Sequence, residues 1–463
     1  MRPIVLDQVS FKRNETIIFK HLDYEFNEGT FTLLRGDSGS GKSTLLKVIA
    51  GFAELPYEGD ALVLGKNQKD LPVLERASKV GMVFQNPNQQ FTMGTLRREI
   101  TFALENLLIG FDGIQERIQE AAQLTQTNHL LDRELSSLSG GEKQRASLAV
   151  LLAMDTPILL LDEPFASVDP KSRDDLIQLL VKLKNKGKTI LLCDHDLANY
   201  QNRVDKVVTL TQVGLVEEPL SILNKLPDPI LSKHVTSKPS LLTLKDVGYS
   251  QGQRELLRPT DFSFFEGITT LTGDNGTGKS TLLKAMAQQK KYRGKMYYQN
   301  ERIRSRRKWY QKMTLAVQDA SQQFICLTPE EELTFNVKLN KEQQLKQREV
   351  LESLDLIDKL KGSLFHLSEG QKKMIQLTAM LSLEKELLLL DEPFTGLDEK
   401  ACQIFMDWMK EKEQHFVIVS HRLAPLSGNS DHHVILANQE LHDTQESLEW
   451  KGAFRESYQN QYA

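Results

Sequence analysis

The sequence predicts an α/β protein built twice from one plan. Three observations carry that expectation. The stretch GDSGSGKSTLLK, beginning at Gly36, returns as GDNGTGKSTLLK from Gly273. Four further features recur downstream in the same order. Between them, apolar runs of strand length alternate with stretches of helical apolar spacing, the pattern of a parallel sheet with crossover helices. Two large repeats make a pseudo-dimer, whereas a solenoid needs at least three.

The elements follow in order. FTLLRG is a short strand ending in Gly36, and STLLKVIAG after it has the apolar spacing of a helix. VFQNPNQQF, with Gln85, answers VQDASQQF, with Gln318; LSSLSGGEKQR, with Ser139, answers LFHLSEGQKK, with Ser368. ILLLDEPFASVD and LLLLDEPFTGLD place Asp162 and Asp391 at the ends of buried strands. LLCDHDL and VIVSHRL close the series with His195 and His421. The stretch around residues 222–242 is rich in Pro, Ser and Lys and has no helical period, so it reads as a linker. The expected organisation is a first domain at 1–222, a linker at 223–241 and a second domain at 242–463.

Composition narrows the class. In 463 residues, 58 Lys and Arg stand against 62 Asp and Glu, a formal net charge of -4. That is not a nucleic-acid-binding profile, and no nucleic-acid partner is expected. Cys193, Cys326 and Cys402 are scattered without CxxC spacing, which argues for a reducing compartment and against a disulfide framework or metal cluster. The N-terminus lacks a signal-peptide core, and the most apolar region is broken by Asp155 and Pro157, so no span is expected.

The repeated loops match GxxxxGK[ST], the P-loop. Glycines let the backbone wrap a phosphate at a helix N-terminus. The expected nucleotide contacts are Gly36, Asp37, Ser38, Gly39, Ser40, Gly41, Lys42, Ser43 and Thr44. In the second half they are Gly273, Asp274, Asn275, Gly276, Thr277, Gly278, Lys279, Ser280 and Thr281. Lys42 and Lys279 would reach the β/γ-phosphates, and Ser43 and Ser280 would ligate Mg²⁺. Asp162 and Asp391 would hold Mg²⁺ through water, while Glu163 and Glu392 would orient and deprotonate the attacking water.

These residues resemble an ABC ATPase, twice over. LSGGEKQR, the signature, is the specific marker, and the resemblance covers essentially the whole chain. It implies two tandem P-loop NTPase (ABC ATPase) domains, each a RecA-like core with a helical subdomain. It further implies ATP sandwiched between the P-loop of one half and the signature of the other: Ser139, Gly140 and Gly141, or Ser368 and Gly370. By the same resemblance, Gln85 and Gln318 link Mg²⁺ and water to the helical subdomain, and His195 and His421 contact the γ-phosphate. Ser167–Asp169 and Gly396–Asp398 fill the D-loop slot. Arg13 and Gln251 occupy the slots where an aromatic usually stacks on adenine, with Phe11 and Tyr249 two positions earlier.

The second signature has Glu369 where a glycine is usual. A strained loop would cost about 1 kcal/mol, and a carboxylate near polyphosphate about 1–3 kcal/mol. The site facing Glu369 is therefore expected to be the weaker hydrolase. QNPNQQF is similar to the QNPDNQF-like segment of energy-coupling factor (ECF) importer ATPases, which serve vitamin and metal-ion uptake. That resemblance implies a peripheral protein on the cytoplasmic membrane face, with a transmembrane T-type component and a small substrate-binding membrane protein as partners. Glu99 and Glu332 then become candidate acidic contacts for the T component. The alternatives are a ribosome-associated ATPase of the ABC-F type and a fused sugar-importer ATPase; the short linker and LSEGQKK depart from their patterns.

Overall fold

The computed structural model describes residues 2–13, 16–37, 39–52, 56–87, 90–165, 168–212, 214–225, 239–252, 254–304, 306–335 and 338–443. The chain divides into two compact units between residues 226 and 227. Regular structure reaches Lys225 and resumes at Ser240, so both ends of the expected linker 223–241 lie inside elements. Residues 226–238 of it fall outside the described residues.

In the first unit, six strands form one sheet in the order Gly214–Glu218, Lys206–Thr211, Phe31–Arg35, Thr189–Cys193, Ile158–Asp162, Val80–Val83. All pairings are parallel except that of the edge strand Gly214–Glu218. Ile158–Asp162 and Thr189–Cys193 are buried at every residue. Helices cover both faces of such a sheet, which is why its strands read as unbroken apolar runs. Three helices, Leu96–Asn106, Phe111–Leu124 and Gly140–Met154, share a separate core of Leu96, Ile100, Ile114, Ile118 and Ala149.

The second unit repeats the plan. Its sheet runs Met313–Ala316, Leu387–Asp391, His415–Val419, Ile268–Thr272, His432–Ala437, Glu440–Asp443, with the last strand antiparallel. Its helical part is Pro329–Thr334, Lys341–Ser353 and Glu369–Leu381.

Each unit also carries a four-stranded antiparallel sheet that the sequence reading did not anticipate. In the first it is Thr16–Phe26, Ile4–Arg13, Tyr57–Val63 and Lys66–Asn67; in the second, Arg254–Phe265, Ser240–Gln251, Arg293–Tyr298 and Glu301–Arg302. Register shifts interrupt the long pairs, for instance between Leu6 and Val9 and between Leu244 and Val247. Each shift breaks the two-residue alternation that marks a strand.

This topology positions the motifs. In the first unit Gly36, Asp194–His195, Asp162–Glu163 and Phe84–Gln85 all leave the carboxyl ends of adjacent parallel strands. In open α/β sheets, ligands bind at those ends.

Candidate nucleotide site

Each P-loop leaves a buried central strand and enters a helix at Lys42 or Lys279. The residues just before, Gly41 (φ 97°) and Gly278 (φ 107°), are left-handed. A Cβ on Gly41 would lie 2.4 Å from Ile18 Cγ2, so no other residue fits there. Lys42 is buried, and its Nζ donates to the carbonyls of Gly36 (2.7 Å) and Asp37 (3.0 Å). Lys279 Nζ donates to those of Gly273 (2.7 Å) and Asp274 (2.8 Å). The ammonium is thereby held across its own loop, beside a helix start whose first N–H groups lack intrahelical partners. Both features attract an anion. Ser38 lies outside the described residues.

The serine after each lysine meets the acidic strand end. Ser280 Oγ donates to Asp391 Oδ1 at 3.0 Å, and Ser43 bonds the Asp162 carboxylate. Burial, then repulsion from Glu163, pushes Asp162 up to about 6; burial likewise raises Asp391. Asp162 Oδ1 is buried without a hydrogen-bond partner. An orphaned carboxylate oxygen beside a hydroxyl suits a hydrated divalent cation. Among the described residues, no three His, Cys, Asp or Glu side chains converge as a metal cage. A cation here would therefore share its shell with phosphate oxygens and water, as Mg²⁺ does.

Glu163 and Glu392 take positive φ, 47° and 50°, and their N–H groups bond the carbonyls of Cys193 and Val419 on the next strand. That turn aims each carboxylate at the following histidine. His195 Nε2 lies 3.1 Å from Glu163 Oε1, and His421 Nε2 lies 3.5 Å from Glu392 Oε1. The pairs differ electrostatically. Burial of Glu163 is outweighed by the His195 charge, the His195 hydrogen bond, Lys42 and a bond from Gln85, so its pKa is lowered. Burial dominates at Glu392, which rises to about 8 although the His421 N–H donates to it. Burial and the Lys279 charge keep His421 well below the usual imidazole range, so it offers little compensating charge.

The glutamine loops are also anchored differently. In the second unit Lys373 Nζ, buried in the signature helix, donates to the Gln318 carbonyl (2.6 Å) and that of Val317 (3.3 Å). Gln376 adds bonds to the Val317 carbonyl (2.9 Å) and Gln323 Oε1 (2.7 Å). In the first unit, Gln144 and Ser147 stand at the matching positions, and Ser147 Oγ is buried with no partner. Sequence reasoning missed Lys373; a lysine among the inward-facing positions of the signature helix was the available signal.

Ser139 and Ser368 are N-caps of their signature helices, each in a capping box, with Glu142 and with Gln371. Glu369 is the first residue of its helix, and neither it nor Gly140 has positive φ, so no strain arises. Its carboxylate pairs with Lys372 Nζ at 3.0 Å and lies where the helix dipole favours it. The strain ground for a weaker site facing Glu369 is thus removed, and Lys372 partly offsets its charge. Asp169 and Asp398 cap the helices Pro170–Asn185 and Glu399–Lys410; Ser167 lies outside the described residues.

The aromatics two positions before the adenine slots are enclosed, and one other expectation is corrected. Phe11 and Tyr249 are buried; Phe11 packs on Phe19, and the Tyr249 hydroxyl donates to the Gly278 carbonyl at 3.1 Å. Tyr249 thus braces its P-loop, and neither ring is open to a base. Gln251 is exposed at a strand end, and the Arg13 side chain lies outside the described set. Glu99 is buried and accepts from the N–H groups of Thr92 (2.9 Å) and Met93 (2.7 Å); Glu332 does the same for Ile325 and Cys326 (both 2.9 Å). These carboxylates fasten the chain after each glutamine loop; Glu99 is closed off from a partner, while Glu332 stays half-buried.

Behind His195, Arg173 is buried against Asp194 (3.1 Å) and Asp196, and its guanidinium lies over the Tyr200 ring. Cys402, Ser420, Arg422 and Leu426 hold the matching places in the second unit. There Arg422 donates to the carbonyls of Phe394 (3.3 Å) and Leu397.

The ABC transporter family profile matches residues 19–166 and 257–395. The chain belongs to that family and carries two of its ATP-binding domains; it binds ATP and is an ATPase. A Bacillus subtilis protein provisionally named an HMP/thiamine import ATP-binding protein (YkoD) is 29% identical, over 95% of this chain and 90% of its own length. A Treponema denticola protein provisionally named an ABC transporter ATP-binding protein is 28% identical over 98% and 99%. Among solved structures, an archaeal ribosome recycling factor, aABCE1, in complex with a ribosomal stalk protein, aligns over 97% of this chain and 92% of its own. Its TM-score is 0.67 at 18% identity, a likeness of fold.

Proposed function

We propose that the chain is the ATP-hydrolysing subunit of a membrane importer of the ECF type, serving uptake of a vitamin, cofactor precursor or metal ion. The observation that carries this reading is the end-to-end tandem match to a relative named for HMP/thiamine import. QNPNQQF and the exposed apolar side chains of the helical parts support it. Those are Phe102, Leu108 and Phe111 in the first unit and Ile325, Leu327, Phe335 and Phe365 in the second. Exposed apolar groups of this kind suit a protein partner, here the T-type component, with a small substrate-binding membrane protein beside it. No helix among the described residues is long and apolar enough to cross a membrane, so the chain would act from the cytoplasmic face through that partner.

In this mechanism Lys42 and Lys279 neutralise the β/γ-phosphates, and the P-loop N–H groups cradle them. Ser43, Asp162 and Gln85, and Ser280, Asp391 and Gln318, would hold Mg²⁺ bound with the nucleotide, which spreads the phosphate charge. Glu163 or Glu392 takes a proton from the attacking water, whose oxygen bonds the γ-phosphorus as ADP leaves. His195 and His421 hold those carboxylates and reach the γ-phosphate.

Affinity capture from gently solubilised membranes, with mass spectrometry of bound proteins, tests the reading. Recovery of a polytopic membrane protein with a small substrate-binding one is the expected result. Recovery of ribosomal proteins without either would overturn it.

A further inference from the structure

The antiparallel sheet of the second unit has an outward face of unusual charge. Along Arg293–Tyr298, Met296 and Tyr298 are buried, while Arg293 and Lys295 are exposed and Tyr297 is half-buried. Lys295 is paired directly with exposed Lys245 on the neighbouring strand, and Tyr297 with Arg302 on the other side. Lys245, Lys295, Tyr297 and Arg302 therefore share one face, and Arg293 stands beyond a register shift at its end. Around it, residues 284–312 hold eleven Lys and Arg against Glu301 alone, in a chain whose net charge is -4. Like charges directly opposed across a sheet destabilise it; among the described residues Lys245, Lys295 and Arg302 pair with no acid, while Arg293 meets Asp246 at 3.3 Å.

The first unit inverts this face. Asp7 pairs with Asp60 in the register of Lys245 with Lys295, and Glu58 stands where Arg293 does. Leu62 replaces Tyr297 and Asn67 replaces Arg302. The matching span, residues 47–79, holds five residues of each sign. The fold does not require the basic face, since the same sheet forms without it.

We propose that this face of the second unit binds anionic phospholipid headgroups, so that the chain meets the membrane surface with one half only. The partner chemistry follows from the shape. A single nucleic-acid strand needs open aromatic platforms along a groove. Tyr297 is half-buried with Lys245 Nζ 5.1 Å from its ring centre, so it offers no open platform. Long, flexible cations without stacking partners suit an anionic lipid surface, which attracts each Lys and Arg near its headgroups. This inference deepens the membrane reading above and rests on it.

The test uses the full chain with pure phosphatidylcholine vesicles and with vesicles containing phosphatidylglycerol, by co-sedimentation at low and at physiological salt. Wild type should bind the anionic vesicles alone, more weakly as salt rises. K295E with R302E should weaken that binding roughly tenfold or more and leave ATPase activity in free solution unchanged. K295E places a carboxylate opposite Lys245, so the variant should melt no lower than wild type. Equal affinity for neutral vesicles, or unchanged binding by the variant, would overturn the proposal. So would tighter binding to a labelled single-stranded RNA that the same variant loses. No membrane protein is present, so failure here leaves the capture experiment free to succeed, and the reverse.

Discussion

Glu163 and Glu392 occupy one place in two copies of a fold, yet their surroundings pull them in opposite directions. Glu392 is raised to about 8 by burial, above the ordinary 4.5. The folded state then favours its proton, and stability falls as pH rises from the ordinary value to about 8. Glu163 is lowered, so it contributes stability above the ordinary value that is lost as pH falls through its folded pKa. The same conservative change should act with opposite sign. In nucleotide-free protein at pH 8, Glu392→Gln should raise stability by about 2–4 kcal/mol, while Glu163→Gln should lower it; calorimetry of each variant checks both. If ionisation limits water activation, Glu163→Gln should also cost more turnover near neutral pH, reversing the order that Glu369 alone suggested. A second residue-scale expectation concerns Lys373. Lys373→Met removes the donor from two buried carbonyls and should cost about 1–3 kcal/mol. Lys373→Gln, the residue of the matching position in the first unit, should recover part of that, as read by urea unfolding.

At the scale of elements, Glu99 and Glu332 each tie the start of a helix to the loop that follows a catalytic glutamine. Glu99→Ala should release the Thr92 and Met93 amides, visible as faster hydrogen exchange there, and cost about 1–3 kcal/mol. Glu332 is less buried, so Glu332→Ala should cost less. The sequence located both glutamates from their repetition but misread their purpose, because the N–H groups they accept from were not legible in it. The same limit applies elsewhere. Motif residues were legible because P-loop, acidic strand end and signature are contiguous in the chain. The parallel strands were legible because burial on two faces makes them continuously apolar. The antiparallel sheets were not: shifts near Leu6–Val9 and Leu244–Val247 break their period. The burial of Phe11 and Tyr249 was not legible either, because it depends on residues the fold brings against them.

For the whole molecule, duplication means two ligand-linked equilibria in one chain. Saturating Mg-ATP should stabilise each unit by about 2.7 kcal/mol at a hundredfold excess over Kd. Lys42→Ala should remove that gain from the first unit's melting transition and Lys279→Ala from the second's. The double variant should melt identically with and without nucleotide, which differential scanning calorimetry can follow.

The buried Arg173 cluster has a consequence for how such a gene can change. Repeated halves invite exchange of sequence by recombination. Transplanting the helix Pro170–Asn185 into the second half would set its arginine against Ser420 and Arg422 in place of Asp194 and Asp196. An uncompensated buried guanidinium of that kind costs about 3–5 kcal/mol, a large part of the margin on which a domain survives. Recombinants that move one segment without its partner would be purged, so the copies are protected from being copied over one another. Each half is then free to drift toward its own role.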